Sequence, residues 1–236
     1  MEYLGHRLRH EIKYYINENV YHTLRGRLNL VTEADSYMKN EDGYLISSLY
    51  LDDIYHSALT EKEAGIRFRK KYRIRCYNRE DTPVNLECKR KYGEYIAKET
   101  MKLSRIEYDS ILAGSYEFLL SRPESLGREV YALHQTRLLK PTAVVEYLRE
   151  AYVSKLGNVR ITFDKDISVS VNEYDMFSEN FEVVRALEPG VMVLEVKFDD
   201  FLPDMIYRIL QTAMTDKCAV SKYVMCRNEK RRILAR

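Results

Sequence analysis

Alternation of apolar and charged residues dominates the chain. In HRLRHEIKYYI, Arg7, Arg9, Glu11 and Lys13 share one parity, while Leu8, Ile12 and Tyr14 share the other with His10. Side chains two apart on a strand lie on the same face, so the segment reads as a strand with one apolar and one charged face. The same division recurs elsewhere. Glu87 and Lys89 oppose Leu86 and Cys88; Arg160, Thr162 and Asp164 oppose Val159, Ile161 and Phe163. Glu195 and Lys197 oppose Leu194 and Val196, and Arg73 and Arg75 oppose Tyr72, Ile74 and Cys76. Strands are expected near 7–16, 44–52, 68–77, 84–91, 94–102, 142–153, 158–164, 167–174, 181–188 and 191–199. Tyr92-Gly93, Gly157-Asn158 and Pro189-Gly190 are turn signals between neighbours.

Helical spacing is scarcer. Val20, Leu24, Leu28 and Val31 follow Asn17; Ser104 and Glu107 form an S-x-x-E capping box ahead of Tyr108 and Ile111. Leu126, Val130, Leu133 and Leu138 mark a third helix, and Ile206, Ile209, Leu210 and Ala213 a fourth, after Pro203. Many strands joined by short turns predict one α+β domain over residues 1–236. Its antiparallel sheet would close into a barrel with helices packed outside.

Composition narrows the chemistry. Lys and Arg number 38 against 36 Asp and Glu, a formal net charge of +2. That excludes a globally basic nucleic-acid coat, so any anion site must come from local sorting of charge. The row Arg67, Arg69, Lys71, Arg73, Arg75 is such sorting, five bases at the period of a strand. A solvated outer face, or an edge guarded by charge, explains one strand of this kind. Repetition of the pattern on five strands favours the charged face pointing inward. Bases crowded inside a barrel repel one another at low dielectric and call for a polyanion with its divalent metal. The four cysteines and five histidines lack metal-ligand spacing, and the cysteines read as buried thiols of a reducing cytosol. No apolar run is long enough to span a membrane. The basic end EKRRILAR reads as a solvated tail.

Taken together, RHEIKYYI, SSLYLDD, YRIRCY, LECKRKYGEYIAKE, EYLREAY, VRITFD, LEVKF and AVSKY resemble the VTC domain. This is the polyphosphate polymerase domain of the triphosphate tunnel metalloenzyme superfamily. The resemblance implies a basic tunnel in which ATP donates its γ-phosphate to a growing inorganic polyphosphate chain. It implies catalytic roles for Lys13, Arg73, Arg75, Lys89, Arg160 and Lys222, and substrate-binding roles for Lys98, Arg149 and Lys197. Glu195 matches the ligand of Mn²⁺ or Mg²⁺, with Glu11 and Glu87 as helpers that a purely neutralising role would also explain.

Related triphosphatases and cyclases open with E-x-E-x-K, whereas here Arg9-His10-Glu11-Ile12-Lys13 stands in that place. The resemblance reads this as a metal ligand exchanged for a phosphate ligand. That lowers the alternative of a tunnel triphosphatase or tripolyphosphatase; a non-catalytic polyphosphate-binding module is the other alternative. The regulatory and membrane modules of eukaryotic members are not seen in the sequence. The expectation is therefore a cytoplasmic domain, coupled to the inner face of a membrane only through a separate membrane-protein partner, and binding no nucleic acid.

Overall fold

The structure, a computed structural model, describes residues 2–3, 5–213 and 219–235. Eight long strands carry it: β1 (Arg9–Asn17), β2 (Tyr44–Asp52), β3 (Phe68–Tyr77), β4 (Glu80–Tyr92), β5 (Tyr95–Leu103), β6 (Lys140–Ser154), β7 (Val159–Ser170) and β8 (Val191–Phe198). β2 to β5 form a meander, β6 and β7 a hairpin, and β8 adds to β7. β1 then joins β8 to β5, and β6 pairs with β2, so the pairings run round a ring. The thin point is the β1–β5 seam, where among the described residues Arg9↔Ile96 and His10↔Tyr95 are paired. The closed barrel expected from the sequence is here a large antiparallel sheet curled into a ring, with helices outside.

Register carries the alternation from strand to strand. Ile74, Leu86 and Met101 lie side by side on β3, β4 and β5, all buried. They face Tyr108 and Ile111 of α3 (Arg105–Leu112) and Leu126 and Val130 of α4 (Ser125–Arg137) in one apolar cluster. Across the ring, Tyr14, Ile16, Phe163, Leu194 and Val196 meet Leu24 and Leu28 of α1 (Glu18–Leu28) and Ile206 and Leu210 of α5 (Asp204–Leu210). Each such side chain, once buried, contributes about 1.5–3 kcal/mol. The apolar parity is thereby used on the outside, and the charged parity has only the interior left.

Local signals place the helices. The Asn17 side chain accepts from the Val20 amide at 3.0 Å and starts α1. Ser104 and Glu107 form the expected reciprocal box on α3. Several boundaries differ from expectation. The strands expected at 158–164 and 167–174 are one strand, β7, with an irregularity between Lys165 and Ser168. The segment 181–188 holds only a short strand, Val183–Arg185, lying beside the later half of β7. Pro189-Gly190 therefore links two strands that follow each other along one edge of β7 and is not a hairpin turn. Two helices carried no expectation: α2 (Ser57–Glu63) and α6 (Lys222–Leu234). The supposed solvated tail belongs to α6, because Tyr223, Cys226 and Lys230, spaced three and four apart, bury one face of it.

Cys76, Cys88 and Cys226 are buried free thiols; Cys218 lies outside the described residues. Among the described residues, no helix is long and apolar enough to cross a membrane.

Two measurements test this packing. Ser104→Ala removes the acceptor for the Glu107 amide and should lower unfolding stability by about 1 kcal/mol, read from denaturant melts. Glu129 of α4 is held by Arg90, Lys70 and the Tyr72 hydroxyl. Burial opposes its charge, but those donors prevail and draw its carboxyl down to about 2. A carboxyl with a depressed folded-state pKa stabilises above its unfolded pKa and loses that contribution as pH falls through the folded value. The melting-temperature gap between wild type and Glu129→Gln should hold at neutral pH and shrink between pH 4.5 and 2.

Candidate anion-binding site

Inside the ring lies a cavity of about 400 Å³. Its basic lining is Lys13, Lys62, Arg69, Lys71, Arg73, Arg75, Lys89, Lys91, Arg149, Lys197 and Lys222; its carboxylates are Glu11 and Glu195. Among the described residues eleven bases thus meet two acids, in a protein whose net charge is only +2. Sorting by strand parity is complete enough to make a cationic interior from a near-neutral chain.

Register sets the charge pattern. Glu195 stands opposite Lys13 across β8 and β1, and Lys197 opposite Glu11. Lys13 Nζ lies 3.1 Å from both Glu11 Oε1 and Glu195 Oε2, so one ammonium joins the two carboxylates. Lys89 donates to both Glu11 oxygens, at 2.6 and 2.7 Å, and Lys197 pairs with Glu195. Burial opposes ionisation of Glu195, but the surrounding ammonium groups, Lys197 and Lys13 foremost, hold it well below the ordinary carboxylate range. Glu11 is lowered likewise against the effects of burial and of Glu195, by Lys13, Lys89 and Lys197. Both acids are charged, and each is already occupied by an ammonium.

The arginines are positioned from behind. Arg73 reaches Glu87 Oε2 with Nη2 at 2.6 Å and donates to the Tyr50 hydroxyl at 3.3 Å. Arg75 donates to Ser48 Oγ and to the Tyr147 hydroxyl, each at 3.2 Å. Arg149 forks onto Asp164 at 2.6 and 2.8 Å, and Lys222 reaches the same carboxylate at 2.5 Å. A bidentate fork of this kind fixes the guanidinium plane. Tyr147 lies under both Arg149 and Lys222, at 5.2 and 4.8 Å from its ring centre. Burial would raise its phenol, but Arg149 and Arg75 turn the balance and draw it below its ordinary value.

Lys71 is different. It donates to Ser221 Oγ at 2.6 Å and lies 5.5 Å from the centre of the Tyr223 ring. Among the described residues no carboxylate lies within ion-pair reach of it. Burial, reinforced by Lys13, Lys89 and Arg69, pushes its ammonium well below the ordinary lysine value. Lys89, despite Glu11, is brought down to about 7, first by burial. Among the described residues the interior is short of negative charge.

Of the residues expected from sequence, Lys13, Arg73, Arg75, Lys89, Arg149, Lys197, Lys222, Glu11 and Glu195 converge on this cavity. Three do not line it. Arg160 shares the inward parity but is drawn aside by Asp35 and the Tyr44 hydroxyl. Lys98, its side chain half exposed, donates to Glu87 at 2.9 Å. Glu87, held by Arg73, Arg75 and Lys98, serves as their counter-ion and stands apart from the Glu11–Glu195 pair. Arg9, expected as a phosphate ligand, instead holds Asp199 at 3.0 Å and the Asn158 carbonyl at 2.6 Å.

Lys71 and Arg69, the earlier members of the basic row, do line the cavity, as does Lys91, two residues beyond Lys89. Period two alone identifies them. Asp164 was visible in parity with Thr162, but its service to Arg149 and Lys222 depends on residues far apart in the chain.

A divalent metal is part of what the resemblance implies. Among the described residues no three acidic, histidine or cysteine side chains gather as a ligand set. The ionised pair Glu11 and Glu195 nonetheless suits a hard cation that takes one or two carboxylates and completes its shell with phosphate oxygens.

Comparison with known proteins bears on the fold and the family. A solved structure from Bacillus halodurans, provisionally described as an adenylate cyclase, superposes with a TM-score of 0.52 at 15% identity, covering 92% of this chain and 96% of that one. At that identity the likeness is one of fold. A protein from Pyrococcus horikoshii OT3 aligns at 16% identity and a TM-score of 0.49, over 94% of this chain and 99% of its own. No curated protein matches the sequence. The profile of the VTC domain matches residues 8–229, nearly the whole chain. The protein belongs to the VTC domain family.

Proposed function

We propose that the ring works as a tunnel in which a phosphoryl group passes from ATP to the end of an inorganic polyphosphate chain. The observation that carries this reading is the imbalance of the cavity, eleven bases to two carboxylates among the described residues, with no carboxylate of those residues in ion-pair reach of Lys71. Such an interior is completed by a ligand carrying many negative charges at short spacing, which describes a phosphate chain.

The chemistry asks mainly for positioning and for neutralising charge on non-bridging oxygens. Arg73 and Arg75, braced by Glu87 and Tyr147, would present guanidinium donors to those oxygens. Arg149 and Lys222, braced by Asp164, would hold a neighbouring phosphate. An oxygen of the acceptor phosphate attacks the γ-phosphorus, and the bond to the β-bridging oxygen breaks, releasing ADP. The acceptor is already anionic, so no protein nucleophile is required. Glu11 and Glu195 would hold Mn²⁺ or Mg²⁺, which supplies further positive charge at the transferred group. As phosphate enters, Lys13, Lys89 and Lys197 can exchange carboxylate for phosphate contacts. Incubating the protein with ATP and Mn²⁺, then separating long polyphosphate from free phosphate, tests the reaction: chains support transfer, and free phosphate alone indicates hydrolysis.

Two variants test the site. Lys71→Met should raise the melting temperature without ligand, since it removes a buried repulsion. It should also reduce the rise produced by tripolyphosphate at low salt, where screening is weak. Opposite signs in the two melts distinguish an anion ligand from a structural lysine. Glu195→Gln should lower metal-dependent turnover by about a hundredfold or more, the scale of losing one transition-state contact. Its affinity for tripolyphosphate should hold or rise, because one repelling charge has gone; calorimetry and turnover against Mn²⁺ concentration separate the two effects.

A further inference from the structure

A second cavity, about 550 Å³, lies on the outer side of β3 and β4, between α2 and α4. It meets the basic cavity at Arg69 and Lys91, which line both. Its walls differ in kind from the interior. Phe68 is 66% exposed and stands edge-on to Tyr92, with ring centres 6.5 Å apart. Leu133 and Leu139 add apolar surface from the end of α4 and beyond. Glu61 of α2 also lines it, and its carboxylate has no hydrogen bond or ion pair among the described residues.

We propose that this groove takes the nucleoside of a nucleoside triphosphate whose phosphates enter the basic cavity. The inference rests on the phosphate reading of that cavity and extends it to the donor. Three zones follow one another: the exposed Phe68 ring beside the half-buried Tyr92, with an unclaimed acceptor, then Arg69 and Lys91, then the crowded bases. A nucleotide has the same order: a flat base and hydroxyl-bearing sugar, then the first phosphate, then the rest. Base stacking on aromatic side chains is favourable for every base, and Glu61 can accept from a ribose hydroxyl or an exocyclic amine. An inorganic phosphate chain has nothing to place against Phe68. The groove therefore distinguishes the phosphate donor from the phosphate acceptor. Asp52 and Asp53, also in its wall, are already engaged by Tyr223, Ser57 and backbone amides.

The test compares ATP with tripolyphosphate by titration calorimetry on wild type, Phe68→Ala and Phe68→Trp. Phe68 is exposed, so the variants should fold, and melting curves check this. Phe68→Ala should weaken ATP about tenfold and leave tripolyphosphate unchanged, with Phe68→Trp restoring ATP. An equal effect on both ligands, or none on ATP, overturns the nucleoside site while leaving the phosphate cavity standing. Failure of the wild type to bind either ligand overturns both.

Discussion

Positive charge gathers inside a ring of strands and, among the described residues, exceeds the carboxylates that could match it; register, helix placement and buried ion pairs all answer to that excess. Charges removed from water need partners. Here Glu11, Glu87, Asp164 and Glu195 are each shared between two or more bases, and all four are held in the charged state. Sharing stretches four acids across most of the interior, but among the described residues no ion pair reaches Arg69, Lys71 or Lys91, and the Lys71 ammonium is disfavoured by burial and by its neighbours. An anion that binds this interior in the folded state alone would add to the stability of the fold.

The helices make the constraint possible. α1 and α5 cover one side of the ring, and α3 and α4 another, so the apolar parity is buried outside. α6 does more. Its Tyr223 stacks on Tyr50 at 4.8 Å, its Ser221 receives Lys71, and its Lys222 shares Asp164 with Arg149. The start of this helix is part of the cavity wall, and its burial depends on the same contacts that orient the bases.

Much of this was legible in the alternation of residues. Parity placed Lys13, Arg73, Arg75, Lys89, Glu195 and Lys197 on one face, and antiparallel register then brought them together. What parity cannot state is where along the ring a side chain stops. Arg160 and Lys98 share the inward face, but Asp35, Tyr44 and Glu87 hold them away from the cavity. Those partners come from distant parts of the chain. Glu87 reads as a metal helper because a carboxylate among arginines can serve either role; its contacts with Arg73 and Lys98 set it apart from the Glu11–Glu195 pair. α6 was missed because its basic residues hid a narrow apolar stripe of Tyr223 and Cys226.

A crystal structure of the protein with tripolyphosphate would decide whether the crowded interior receives a phosphate chain. The anion should lie inside the ring, its oxygens contacting Arg73, Arg75 and Lys71, with Lys71 drawn from Ser221 toward phosphate. Tripolyphosphate found only on the outer surface, with the interior contacts of Lys13, Lys71 and Lys89 unchanged, would contradict it.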